Sequence, residues 1–186
     1  FFFAWPQGMS TEVVAYDDVA LMGLGMICID TLVTVDHYPQ PDEKLRTQTC
    51  QKVSGGNTGN VLSNLSRYGV PCTYVGKLGP DSDGHRLKAD LEADGVQMCV
   101  TYGGTTSPSS YIIVDNTTKT RTILHTPADY EYEPEDLLVE VEKLKGLQLV
   151  FTDGRFAPAV KTFLGTLRSR APCPFRTVVE AERDRP

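Results

Sequence analysis

The sequence predicts an α/β fold: a parallel sheet with helices on both faces, plus a small β lid. Two observations carry this expectation. Strand-like apolar runs alternate with amphipathic helical segments over residues 19–180, the order that builds a parallel sheet covered on both sides. Two β-rich stretches, 31–53 and 107–126, interrupt that alternation and do not fit its layer, so they are expected to project together as a lid.

The elements follow in order. Residues 19–30, VALMGLGMICID, form a near-continuous apolar run that reads as one buried parallel strand ending at Asp30. The next stretch alternates and carries Pro39 and Pro41, which suits short exposed strands around a turn. A helix then opens at SGGNTGN. Its apolar positions Val61, Leu62, Leu65 and Tyr68 recur at three- and four-residue steps, and Gly69 and Pro71 stop it. Residues 72–79, CTYVGKLG, are the next strand. DSDGHRLKADLEADGV is a helix with an acidic start, Leu87 and Leu91 inward, and Gly95 as its stop. Residues 109–125 read as a hairpin turning at 116–119. Pro134, Glu135 and Asp136 open a further helix, with Leu137 or Leu138, Val141 and Leu144 inward. LQLVFTDGR is a strand ending in a polar loop. Residues 157–170 are a helix with Val160, Phe163, Leu164 and Leu167 inward, and FRTVVE is the last strand.

A chain of 186 residues with 40% hydrophobic content can bury a real core. The net charge of −6 and the lack of any basic run argue against a nucleic-acid surface. No apolar run approaches the ~20 residues of a membrane span. Five cysteines (Cys28, Cys50, Cys72, Cys99, Cys173) are scattered, without C-x-x-C or metal-ligand spacing. They suit reduced thiols in a cytoplasmic compartment, with an organelle such as the plastid left open.

Ligands of parallel sheets bind beyond the carboxyl ends of the strands. Asp30, the Gly55–Gly56–Asn57–Asn60 helix mouth, and Asp153, Gly154 and Arg155 are all expected there, with Asp42 in the lid ribbon. Glycines let a backbone come close to a ligand. Asn57 and Asn60 lie one turn apart and each offers a donor and an acceptor, which suits a neutral polyol better than an anion. Each residue has a plainer reading. Asp30 fits a turn cap, Asn57 a helix N-cap, Gly55 and Gly56 a tight turn, Asp42 a turn after Pro41, and Arg121 and Arg155 solvated charges. His37, His85 and His125 are isolated and read as structural or exposed. GLGMIC lacks the third glycine and the opening helix of a dinucleotide site.

In this order and spacing, GLGMICIDTLVTVDHYPQPDEKLR, SGGNTGN, VGKLGPDSDG, LEADGV, SPSSYIIVDNTTKTRTILH and FTDGR resemble the pfkB-type, ribokinase-like carbohydrate kinases. The likeness covers residues 19–182 and is strongest to ketohexokinase-like and plant-type members. The resemblance implies a ribokinase-like fold and transfer of the ATP γ-phosphate to a hydroxyl of a ketose, pentose or nucleoside, with Mg²⁺. It implies that Asp30, Asp42, Gly56, Asn57 and Asn60 hold sugar hydroxyls, that Arg121 reaches toward the sugar or transferred phosphate, and that Asp153 plays a secondary part. It also implies a possible homodimer through the lid.

The departure from the family is equally informative. The family's Gly-Ala-Gly-Asp motif uses helix N–H groups to stabilise the transferred phosphoryl group and an Asp to take the hydroxyl proton. No Gly-x-Gly-Asp occurs in this sequence. The chain starts at Phe1 and ends abruptly after FRTVVEAERDRP, so the expectation is the amino-terminal part of a longer protein, inactive by itself. Residues 1–18 are then an extension and 19–186 a partial kinase domain, with the ATP and Mg²⁺ sites in the carboxy-terminal half. The rival expectation is a non-catalytic scaffold or regulator that kept the fold.

Overall fold

A computed structural model describes residues 19–137, 144, 146–172 and 174–181. The extension 1–18, the expected inward residues Leu138 and Val141, Cys173 and the last five residues lie outside them.

Two sheets make up the fold. The first is five-stranded and parallel: β1 (Leu21–Leu24), β4 (Cys72–Leu78), β5 (Gln97–Tyr102), β8 (Leu149–Thr152) and β9 (Arg176–Val179), in the order β5-β4-β1-β8-β9. Among the described residues three α-helices cover it: α1 (Asn57–Arg67), α2 (Ser82–Ala93) and α3 (Ala157–Arg170). Alternation along the strands sorts the core into two layers. Leu21, Cys72, Tyr74, Leu78 and Phe151 pack with Leu62 of α1 and with Leu87 and Leu91 of α2. Met22, Leu24, Val75 and Val150 pack with Val160, Phe163, Leu164 and Leu167 of α3, together with Leu137 and Leu144. The period of two in the strands and the helical spacing in α3 are the patterns that favour burial on both faces.

The second sheet is the lid, in the order β3-β2-β6-β7, formed by β2 (Cys28–Val35), β3 (Thr49–Gly55), β6 (Ser109–Asp115) and β7 (Thr120–Thr126). Strand β2 runs antiparallel to β3 and parallel to β6, and β6 and β7 form the expected hairpin.

Three local expectations are corrected. Residues 19–30 are not one strand: β1 ends at Leu24, and the chain crosses at 25–27 into the lid, so Asp30 belongs to β2. The crossing sits at Gly25, where any Cβ would meet Thr58 and Asp153. Tyr68 is not inward but 85% exposed, because it is the C-cap of α1, one residue before Gly69 with φ 84°. Strand β5 has no counterpart in the sequence reading; its QMCVTY buries only Met98 fully, too weak an alternation to stand out. At Pro134–Asp136 the described residues form a 3₁₀ turn, and the rest of the expected helix lies outside the described residues.

Candidate functional site

The site lies where the parallel sheet changes direction. From β1 the chain proceeds to β4 and β5 on one side, whereas β8 and β9 lie on the other, so the carboxyl ends of β1 and β8 flank the switch point. That is the crevice in which open α/β sheets receive ligands. Asp153 follows β8 directly and is 1% exposed. Its Oδ2 accepts the Met26 N–H at 2.9 Å and the Thr58 hydroxyl at 3.3 Å, and its Oδ1 accepts the Arg155 N–H at 3.1 Å. One carboxylate therefore ties together the β8 turn, the crossing into the lid and the first turn of α1. Burial raises its pKa, and these three donors together with the Arg155 charge oppose the rise.

Glycines shape the helix mouth. Gly56 is the N-cap of α1 at φ 85°, and a Cβ there would strike the Met26 carbonyl and Ile27 Cα at 2.6 and 2.9 Å. Gly55 leaves room for Asp30, whose carboxylate occupies the space a Cβ would need. Asn57 donates from Nδ2 to Glu180 Oε2 at 2.6 Å, which joins the mouth of α1 to the end of β9. Asn60 is exposed one turn further on, and its carbonyl accepts from Asn64 Nδ2 at 2.7 Å.

Strand register adds a second wall. Asp30 pairs with Ser110, and Ser110 with His125, so the three lie in one row across the lid. The Cys28 thiol donates to Asp30 Oδ1 at 3.3 Å and stands 3.9 Å from Ser110 Oγ, while Ser110 Oγ and His125 Nδ1 are 3.2 Å apart. Burial, reinforced by the Asp30 charge, pushes the Cys28 thiol up to about 12, so it stays protonated at neutral pH. Burial, followed by the Arg155 charge, lowers the His125 pKa, so a neutral ring faces the row.

The expected site residues are thus only partly gathered. Asp30, Gly56, Asn57 and Asp153 converge, with Asn60 at the rim. Asp42 sits in the β2–β3 connection at φ 63°, exposed, and among the described residues no hydrogen bond or ion pair joins it to the others. Arg121 pairs with Val114, which pairs with Thr34, so it lies four residues along the strands from the Asp30 row. That is about 13 Å at ~3.3 Å per residue. Sequence reasoning missed Glu180, Ser110 and His125. A carboxylate just past the last parallel strand was the available signal for Glu180, and the lid register, which alone reveals the other two, is not written in local pattern.

Among the described residues no group of three or more His, Cys, Asp or Glu is placed to hold a metal ion. No described helix is long and apolar enough to cross a membrane.

A parallel sheet with a four-stranded lid over its switch point, and a carboxylate and amides between them, defines a ribokinase-like architecture. Residues 19–171 match the pfkB family carbohydrate kinase pattern, and the chain belongs to that family. It is 31% identical over 110 residues to ketohexokinase of Mus musculus, an alignment covering 58% of this chain and 37% of that protein. Ribokinase from Giardia lamblia superposes with a TM-score of 0.77 at 16% identity, covering 89% of this chain and 56% of that one. Ribokinase of Arabidopsis thaliana complexed with ribose and ATP gives 0.66 at 18% identity, covering 86% and 53%. The chain thus spans little more than a third of the mouse protein and about half of the two structures.

Proposed function

We propose that this chain is the sugar-binding part and lid of a carbohydrate kinase, and that the whole protein transfers the ATP γ-phosphate, with Mg²⁺, to a hydroxyl of a ketose, pentose or related sugar. One observation carries the reading most: the Asp30 carboxylate lies over Gly55 at the mouth of α1, which Asn57 opens, in a chain of the pfkB family. A carboxylate accepts hydroxyl protons and an amide both donates and accepts, so the pair suits vicinal hydroxyls. Both groups are half-buried, and polar site groups of this kind reject analogues that leave them unpaired.

This chain's residues bind and orient, while Asp153 holds the Met26 crossing and α1 in register. Phosphoryl transfer depends mostly on positioning and charge stabilisation, so orientation is a direct contribution to rate. The charge balance favours a neutral sugar: Asp30, Asp153 and Glu180 bring three carboxylates to the crevice, and Arg155 one guanidinium. Asp42 and Arg121 join the pocket in this proposal only if the lid closes or a second subunit brings them in. The exposed Tyr111, Ile123 and Leu124 support pairing of two lids in a homodimer. The scattered free cysteines support a cytoplasmic protein.

The test is a nucleotide-coupled screen of the whole protein against ketoses, pentoses and nucleosides. At least one sugar should be phosphorylated, and Asp30→Asn should lower its kcat/KM by about 10- to 100-fold. Folded protein that is silent on the whole panel would refute the kinase reading and leave a scaffold.

A further inference from the structure

The geometry points to Arg155 as the substrate-contacting cation of this pocket, its Nε–H held in reserve for an oxygen of a neutral sugar. The inference rests on the sugar-kinase reading above and names one more contact in the same site. Its first support is an orphaned donor. Arg155 Nε is buried and has no hydrogen-bond partner among the described residues, the only such buried side-chain nitrogen or oxygen among them. Buried polar groups are paired in nearly all native structures, and each exception calls for a reason. A donor kept for a ligand is one.

The second support is how the chain presents this side chain. Arg155 follows β8 at the switch point, between Gly154 at φ 71° and Phe156 at φ 56°. A left-handed phenylalanine is strained and persists only where its surroundings enforce it. Here the Phe156 ring stacks on Tyr132 at 3.8 Å between centroids and 2° between planes. Tyr132 is itself fixed by hydrogen bonds to Tyr74 at 2.7 Å and to the Lys77 carbonyl at 3.2 Å. On the other side, Asp153 Oδ1 accepts the Arg155 N–H. Two anchors therefore hold a strained turn with Arg155 between them. Such strain clusters at binding and catalytic positions.

The third support is where that charge is felt. It acts on Asp153 and, across the crevice, on Cys28 and His125 of the lid. Arg155 therefore lies within electrostatic reach of the lid row that holds Asp30, Ser110 and His125. None of the described ion pairs includes it. With Asp30 accepting on one side and Arg155 donating on the other, the pocket recognises a sugar that presents a hydroxyl and a second oxygen able to accept, such as a ring, keto or hydroxyl oxygen.

The experiment compares Arg155→Met and Arg155→Lys with the parent in the whole protein, using the sugar panel of the screen. Three readouts are taken: sugar affinity by titration calorimetry, KM and kcat separately, and melting temperature. Arg155→Met should weaken affinity and raise KM by about 10- to 100-fold, the range of a hydrogen bond to a charged group. Its melting temperature should stay level or rise, because a buried unpaired donor has been removed. Arg155→Lys should recover only part of the affinity, since an ammonium cannot reproduce the guanidinium geometry. Among deoxy analogues of the accepted sugar, one should lose affinity for the parent but show no further loss with Arg155→Met. A purely structural arginine would not single out one substrate oxygen. Unchanged affinity and KM in Arg155→Met, with the parent active, would overturn the inference and leave the kinase reading standing. So would a fall in melting temperature with no analogue-specific loss. A parent that neither binds nor phosphorylates any sugar would overturn both.

Discussion

Asp153→Ala should destabilise the protein more than any other single truncation at the site, and Asp153→Asn should separate the reasons. Asp153 serves three donors, and two of them, the Met26 N–H and the Thr58 hydroxyl, are buried. Each buried donor left without an acceptor costs about 1–3 kcal/mol. Alanine orphans both and frees the Arg155 N–H, while removing a carboxylate whose ionisation burial opposes. The net loss should be about 3 kcal/mol. Asparagine can place its oxygen where Oδ2 stands and keep both buried bonds, losing only the bond to the Arg155 N–H, for about 1 kcal/mol. Ionisation adds a second, signed expectation. The native pKa of Asp153 lies above the ordinary 3.8, so the native state holds this proton more tightly than the unfolded chain. Stability from this group is then fully present below 3.8 and is lost as pH rises through the native pKa. The asparagine variant lacks that loss, so the gap between parent and Asp153→Asn should narrow as pH rises through that window. Urea unfolding of all three proteins across the window measures both effects. Equal destabilisation by alanine and asparagine would refute the hydrogen-bond account. A gap that widens with pH would refute the assigned direction of the pKa.

Three further outcomes are expected. Gly55→Ala puts a Cβ where the Asp30 carboxylate stands, so sugar affinity should fall at least about tenfold with a smaller change in stability; unchanged affinity would show that Asp30 can move aside freely. Thiol mapping with iodoacetamide near neutral pH should label exposed Cys50 well before Cys28 and Cys72, whose thiols burial holds at about 12 and about 11; early labelling of Cys28 would mean that the lid row opens. Val179→Lys on the β9 edge, where Val178 and Val179 are 45% and 57% exposed, should reduce association of the isolated chain by light scattering; an unchanged size distribution would place the association elsewhere.

Local pattern announced most of the parallel sheet because its signals are short-range. The Val160, Phe163, Leu164 and Leu167 stripe of α3 and the Leu87 and Leu91 pair of α2 follow from helical spacing, and all six side chains are buried as that spacing requires. The boundary at residues 25–27 was illegible for a physical reason. Both β1 and β2 are apolar at that point, so hydropathy runs on while the backbone changes sheets. What marks the change is the close approach of Gly25 to Thr58 and Asp153, contacts made by residues 33 and 128 positions away. The site divides in the same way. Gly56, Asn57 and Asp153 stand at ends of elements, where sequence reasoning looks for ligands, and Asp30, inside β2 rather than at a strand end, joins them at Gly55. Arg121 and His125 lie on one strand, and no local pattern tells which of them faces Asp30. Register decides it: Ser110 brings His125 into the row and leaves Arg121 four residues away.

Register also explains how one carboxylate can serve both sheets. The lid is carried on β2, which is continuous with the crossing that Asp153 grips through Met26 N–H. Strand β6 lies beside β2 in parallel, so Ser110 and His125 move with Asp30 rather than independently of it. Arg155 hangs from the same Asp153 by its own backbone N–H. A displacement of the β8 turn would therefore shift Arg155 against the Asp30 row and loosen the first turn of α1 at Thr58 together. Residues on either side of the crevice should accordingly couple: Asp30→Asn and Arg155→Met, measured singly and combined, should depart from additivity in sugar affinity by more than the ~0.5 kcal/mol seen for independent sites. Strict additivity would mean that the two walls hold the sugar separately, and the account of Asp153 as their common anchor would fall.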